Sequence, residues 1–72
     1  MSSGFASALE ISARIVRENG NDHTTARRLI TEWLLGTQAK MNEDPQNGYS
    51  ANMFEGFKAA LAGLYAIAQR EQ

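Results

Sequence analysis

The chain has one histidine, His23, and it follows directly on Asp22. An imidazole beside a carboxylate is the usual starting point for general-base chemistry or metal ligation. A metal site needs three or four converging ligands, however, and the remaining acids (Glu10, Glu18, Glu32, Glu55, Glu71 and the adjacent Glu43 and Asp44) are scattered along the chain as helix-face or loop charges. His23 therefore reads as a polar residue in the cap of a helix. Glu43 and Asp44 are neighbours in a polar loop and diverge, whereas an acid/base pair needs opposed environments that separate the two pKa values. There is no GxGxxG, GKS or GKT, HExxH or GxSxG, so the familiar arrangements for cradling phosphate, binding zinc or activating a serine are absent. With no cysteine in the chain, thiolate metal sites, disulfides and cysteine nucleophiles are excluded. The expectation is a protein that is not an enzyme and uses no cofactor.

The arginines are the second candidate chemistry. Arg14, Arg17, Arg27 and Arg28 flank a helix, turn, helix arrangement around Gly20. In a helix-turn-helix the residue four before the turn glycine is usually small and the one after it apolar; here those places hold Val16 and Asn21. Glu10 and Glu18 lie within one turn of Arg14 and Arg17 and reduce their attraction for phosphate. Seven Lys plus Arg against eight Asp plus Glu give a net charge of −1, evenly spread along the chain. That is not the balance of a dedicated nucleic-acid binder. A dimeric DNA-binding regulator using the second helix is kept as the alternative reading. A helical oligomer that converges arginines on a small ligand between subunits is a third.

The elements that would carry these residues follow from periodicity. A single domain over residues 1–72 is expected, all-α, with helices at about 3–19, 24–41 and 51–70 and a loop at 42–50. The first helix can be capped by Ser2 or Ser3, carries Phe5, Leu9, Ile11, Ile15 and Val16 with Ala8 and Ala13 on one side, and ends at Asn19 and Gly20. Asn21, Asp22 and Thr24 offer caps for the second. Its stripe of Ala26, Leu29, Ile30, Trp33, Leu34, Thr37 and Met41 keeps period through Gly36, so the helix is carried across that glycine. Leu35 points away from the stripe. Around the only proline, Asp44 and Pro45 can open a short turn, and Ser50 is the expected cap of the third helix. Phe5, Trp33 and Phe57 fall on apolar stripes and are expected in the core.

The third helix has two seams. Met53, Phe57, Leu61, Leu64 and Ala68 form an ordinary core stripe, and beside it run Asn52, Gly56, Ala59, Gly63, Ala66 and Arg70. Each helical glycine costs ~1 kcal/mol relative to alanine, and a core of this size supplies only ~3–5 kcal/mol. The small seam, Gly56, Ala59, Gly63 and Ala66, therefore calls for the close approach of another helix. A three-helix bundle, or a helical hairpin plus an N-terminal helix, completed by dimerisation through that seam is the expected architecture; the rival places helix one of the same chain there.

No apolar run is long enough to span a membrane, which needs ~20 residues, and the first residues lack the early positive charge of a leader. A cytoplasmic protein with no membrane partner is expected. The functional expectation is a small non-catalytic protein–protein interaction module, with Leu35, Tyr65 and Ala62 as contact residues and arginines at the rim. Small accessory proteins of phages and other mobile elements that inhibit host proteins have this size and shape, an analogy of fold rather than of residues.

Overall fold

A computed structural model describes residues 3–20 and 22–70. Three helices, α1 (Ser3–Glu18), α2 (His23–Glu43) and α3 (Gly48–Arg70), form an elongated all-α bundle of 41 × 22 × 21 Å. Among the described residues no helix is long and apolar enough to cross a membrane.

The helix ends follow local chemistry. Gly20, at φ 59°, takes the left-handed conformation that ends α1, and the Asn19 side chain donates to Ile15 O at 2.8 Å. Asp22 caps α2: its carboxylate accepts from the Thr25 backbone N–H at 3.0 Å and from the Thr25 hydroxyl at 2.6 Å. The proposed caps Ser2 and Asn21 lie outside the described residues. α2 runs unbroken through Gly36, as its period requires. The chain then turns at Pro45, with Asn47 N–H donating to Asp44 O at 3.0 Å. Asn47, not Ser50, caps α3: its side-chain oxygen accepts from the N–H groups of Tyr49 and Ser50 at 3.0 and 3.3 Å. Ser50 is instead buried in the first turn, which moves Tyr49 from the loop onto the helix.

α3 is the central helix. Both other helices pack along it and touch each other much less. The core is Ala8, Ile15, Ala26, Ile30, Phe57 and Leu64, with Ile11, Val16, Leu29, Leu34, Met53 and Leu61 packed around it. The large stripe of α3 thus closes the bundle as expected. On α1 the expected face is buried in part: Ala8 and Ile15 are in the core and Ile11 and Val16 pack against it, but Gly4 and Ser12 are buried beside them, while Leu9 and Ala13 are exposed. The reason is the closeness of the α1–α3 crossing. A Cβ on Gly56 would lie 2.7 Å from Ala8 Cβ and 2.8 Å from Phe5 O, and one on Gly4 would lie 2.5 Å from Tyr49 O. Only a small-residue face on each helix allows backbones to come that near, so α1 presents its glycine, alanine and serine in place of its leucine.

Trp33 also departs from the core position expected of it. It leans on the buried Phe57, ring centroids 5.9 Å apart, yet remains 48% exposed. With α1 barely reaching α2, the broad apolar stripe of α2 has one neighbour to bury it, and its outer edge is left in solvent.

Candidate functional site

The central position of α3 divides the surface of the bundle into three depressions, each bordered by residues the sequence singles out. The first lies between the N-terminal half of α2 and the C-terminal half of α3, a hollow of about 420 Å³ lined by Thr24, Arg27, Arg28, Thr31, Glu32 and Tyr65. Tyr65 is 54% exposed and carries the Arg27 guanidinium over its ring, 5.0 Å from the centroid. Arg27 is held from its own helix as well, donating to Thr24 Oγ1 at 3.3 Å. Thr31 turns its hydroxyl back to Arg27 O at 2.7 Å, so that donor is already satisfied within the helix. The result is a guanidinium held over an aromatic ring in a cation–π contact, with Arg28 lining the same hollow.

At the other end of α2 lies a larger cleft of about 630 Å³ against the start of α3, with Leu29, Trp33, Thr37, Tyr49 and Met53 as its walls and Glu32 and Lys40 on its rim. Gly36 opens it, since a Cβ there would meet nothing within 4 Å. The Tyr49 ring is fixed across the top of the bundle by its hydroxyl, which donates to Ser7 Oγ of α1 at 3.2 Å. Thr37 satisfies its hydroxyl on Trp33 O at 2.8 Å, so the cleft wall it contributes is a methyl group. A third, shallower groove of about 270 Å³ follows the α1–α3 seam past Leu9, Ala13, Val16, Gly63 and Ile67. The Ser12 hydroxyl lies at its base, buried and without a hydrogen-bond partner among the described residues.

The residues expected to act fall into place unevenly. Of the small seam, Gly56 is buried against α1 of the same chain. Its role as a contact between copies is therefore withdrawn, because α1 already occupies the space. Ala59, Gly63 and Ala66 are exposed, and a Cβ on Gly63 would meet nothing. Leu35, Tyr65 and Ala62 are all on the surface, Leu35 at 57%. Arg27 and Arg28 share the first hollow, but Arg14 and Arg17 stand exposed on α1 and do not line it. The expected neutralisation of those two arginines by Glu10 and Glu18 is also not made as ion pairs. Among the described residues the ion pair that forms is Lys58–Glu55, at 3.3 Å.

Trp33 and Tyr49 are the surface aromatics that sequence reading missed. Periodicity alone assigned the first to the core, and the second was placed in a loop because the Asn47 cap went unrecognised. Gly36, a helix-interior glycine flanked by Glu32 and Lys40 at equal spacing, was the signal that could have drawn attention to this face. The Asp22 carboxyl is held below the usual carboxylate range by the hydrogen bond from the Thr25 hydroxyl, then by the Thr25 N–H, with Arg28 and His23 adding to the effect. It stabilises a helix start and lines none of the hollows described. Comparison with protein-family models, with curated proteins and with solved structures returned no match.

Proposed function

We propose that this protein is a non-catalytic protein–protein interaction module that engages a larger protein through the Tyr65 face of α2 and α3. The observation that carries the reading is the exposed Tyr65 ring with the Arg27 guanidinium over its face and Arg28 lining the same hollow. Tyrosine and arginine are among the residues that most often dominate binding energy at protein interfaces. A guanidinium already parked on a ring loses less side-chain entropy on binding than a free one. Ala62, exposed on the same helix, adds a flat surface over which a partner can close. Two neighbouring guanidinia favour a partner whose matching surface carries carboxylates, which arginine accepts bidentately. By analogy of size with accessory proteins of mobile elements, the effect on that partner is inhibition by occupying its surface.

The test is affinity capture from source cells with the wild-type chain and with Tyr65→Ala, followed by calorimetry on the purified captured protein. Tyr65 is 54% exposed and outside the core cluster, so the variant keeps its fold, and its dissociation constant for the partner rises by about 30-fold, the equivalent of the ~2 kcal/mol typical of a dominant interface residue. Arg27→Ala lowers affinity in the same direction. Equal binding by wild type and Tyr65→Ala refutes the assignment of the face. A salt-dependent shift of duplex DNA by the wild type, lost with Arg27 and Arg28, favours the regulator reading in its place.

A further inference from the structure

The outer face of α2 carries a second feature, which shares only Glu32 with the Tyr65 hollow. Glu32, Gly36 and Lys40 stand at intervals of four on one ridge, all exposed. They run along the mouth of the cleft that holds Trp33 and Tyr49. Neither charge forms an ion pair among the described residues. The glycine between them sits in the middle of a 21-residue helix, where it weakens the helix, with no positive φ and no close neighbour to require it. Leu35 and Ala39, also exposed, border the ridge on the side away from the cleft.

We infer that this ridge is a self-complementary docking surface, and that its occupant is a second copy of the chain with its α2 antiparallel to the first and Gly36 of each copy at the two-fold axis. The argument is one of charge order. In an antiparallel pair centred on Gly36, the residue four before the glycine faces the residue four after it on the other copy. Glu32 then meets Lys40 of the second copy, and Lys40 meets its Glu32. Each pair lies ~6 Å along the helix from the axis, at ~1.5 Å per residue. A parallel pairing would set like charge against like. Isologous contacts are self-complementary in this sense, and two-fold dimers are the commonest soluble oligomers.

The absence of a side chain at the axis gives Gly36 its purpose. Two helix backbones can approach there, as α1 and α3 already do at Gly56. The same rotation keeps the cleft sides of the two copies together and lays the exposed half of each Trp33 over the end of the other copy's cleft, beside Thr37 and Lys40. Leu35 and Ala39 close the opposite flank. The most exposed large apolar residues of α2 are thus covered by one operation, while Tyr65 stays outside it.

Sedimentation equilibrium from micromolar to millimolar concentration tests the proposal, with circular dichroism confirming helical content for each variant. The wild type is expected to dimerise. Glu32→Lys and Lys40→Glu, each made alone, bring like charges together twice per dimer, and each is expected to weaken association by about 10-fold or more, since two surface pairs change from attractive to repulsive. The double variant Glu32→Lys/Lys40→Glu restores opposite charges on both sides and regains the dimer, and an equimolar mixture of the two single variants associates. Gly36→Gln, whose Cβ would meet nothing within 4 Å in the chain, leaves the fold intact and abolishes the dimer. A wild type that stays monomeric throughout overturns the proposal. So does a dimer indifferent to the single reversals, which would place the contact elsewhere, such as the Gly63 groove.

Discussion

Replacing Gly56 and Gly63 with alanine, one at a time, separates the two halves of the α3 small-residue seam by sign. Both glycines are helix-interior, so each alanine gains ~1 kcal/mol in helix propensity. At Gly63 nothing opposes the gain, because the new methyl group points into open space. At Gly56 the methyl group would lie 2.7 Å from Ala8 Cβ and 2.8 Å from Phe5 O. The second of these is backbone, so relief requires α1 to move away from α3 along the whole crossing. Overpacking of this kind costs ~1–3 kcal/mol, and a backbone contact belongs at the upper end. The net expectation is a loss of ~2 kcal/mol at Gly56 against a gain of ~1 kcal/mol at Gly63. In a domain of this size, a shift of ~1 kcal/mol moves the melting temperature by about 4–8 °C. Urea denaturation followed by circular dichroism, read as a change in midpoint at constant slope, measures both. If the two variants move stability in the same direction, the close α1–α3 contact does not exist as described and the account of why α1 buries small residues fails with it.

Three further outcomes follow from buried or capping groups. Ser12→Ala removes a hydroxyl with no partner among the described residues from a residue that is 3% exposed, and is expected to raise stability by about 1 kcal/mol in the same urea assay. Phe57→Ala empties the largest fully buried side chain; a loss of ~3–5 kcal/mol matches the whole stability expected of the domain, so thermal scans should show no cooperative transition. The carboxyl of Asp22 titrates lower in the folded chain than in the unfolded one, so its contribution is present above the unfolded pKa and is lost as pH falls through the folded pKa. Asp22→Asn should therefore flatten the acid limb of the stability curve relative to wild type while leaving the pH dependence near neutrality unchanged, as measured by melting temperature against pH.

The number, order and approximate limits of the helices were legible in the sequence because apolar residues recur with helical period and because Gly20 and the Asp44 to Gly48 segment break it. Continuity through Gly36 was legible for the same reason. What periodicity could not supply was which apolar face is covered. A pattern that counts Leu9 as core and Gly4 or Ser12 as filler has no way to see that α1 approaches α3 too closely for a leucine. Trp33 shows the converse: it lies on the right stripe, but α2 has one neighbour and not two, so the edge of the stripe stays wet. The start of α3 was misplaced by three residues because a serine looked like the better cap, whereas Asn47 reaches two N–H groups at once. Tyr65 was recognisable as a surface aromatic; its pairing with Arg27 depends on how α2 and α3 are set against each other and had no local signature.

That the outer face of α2 is a protein-docking surface can be tested most directly by engineering a single thiol into this cysteine-free chain. With Gly36 on a two-fold axis, the two copies of position 36 come within the ~4.4–6.8 Å between Cα atoms that a disulfide requires. Gly36→Cys under mild oxidation is predicted to cross-link rapidly and almost completely into a dimer of unchanged helical content, while Gly63→Cys, equally open but on the α1–α3 groove, cross-links only at the slow rate of random collision. Rapid cross-linking through position 63 with none through position 36 would contradict the assignment and place the contact on α3.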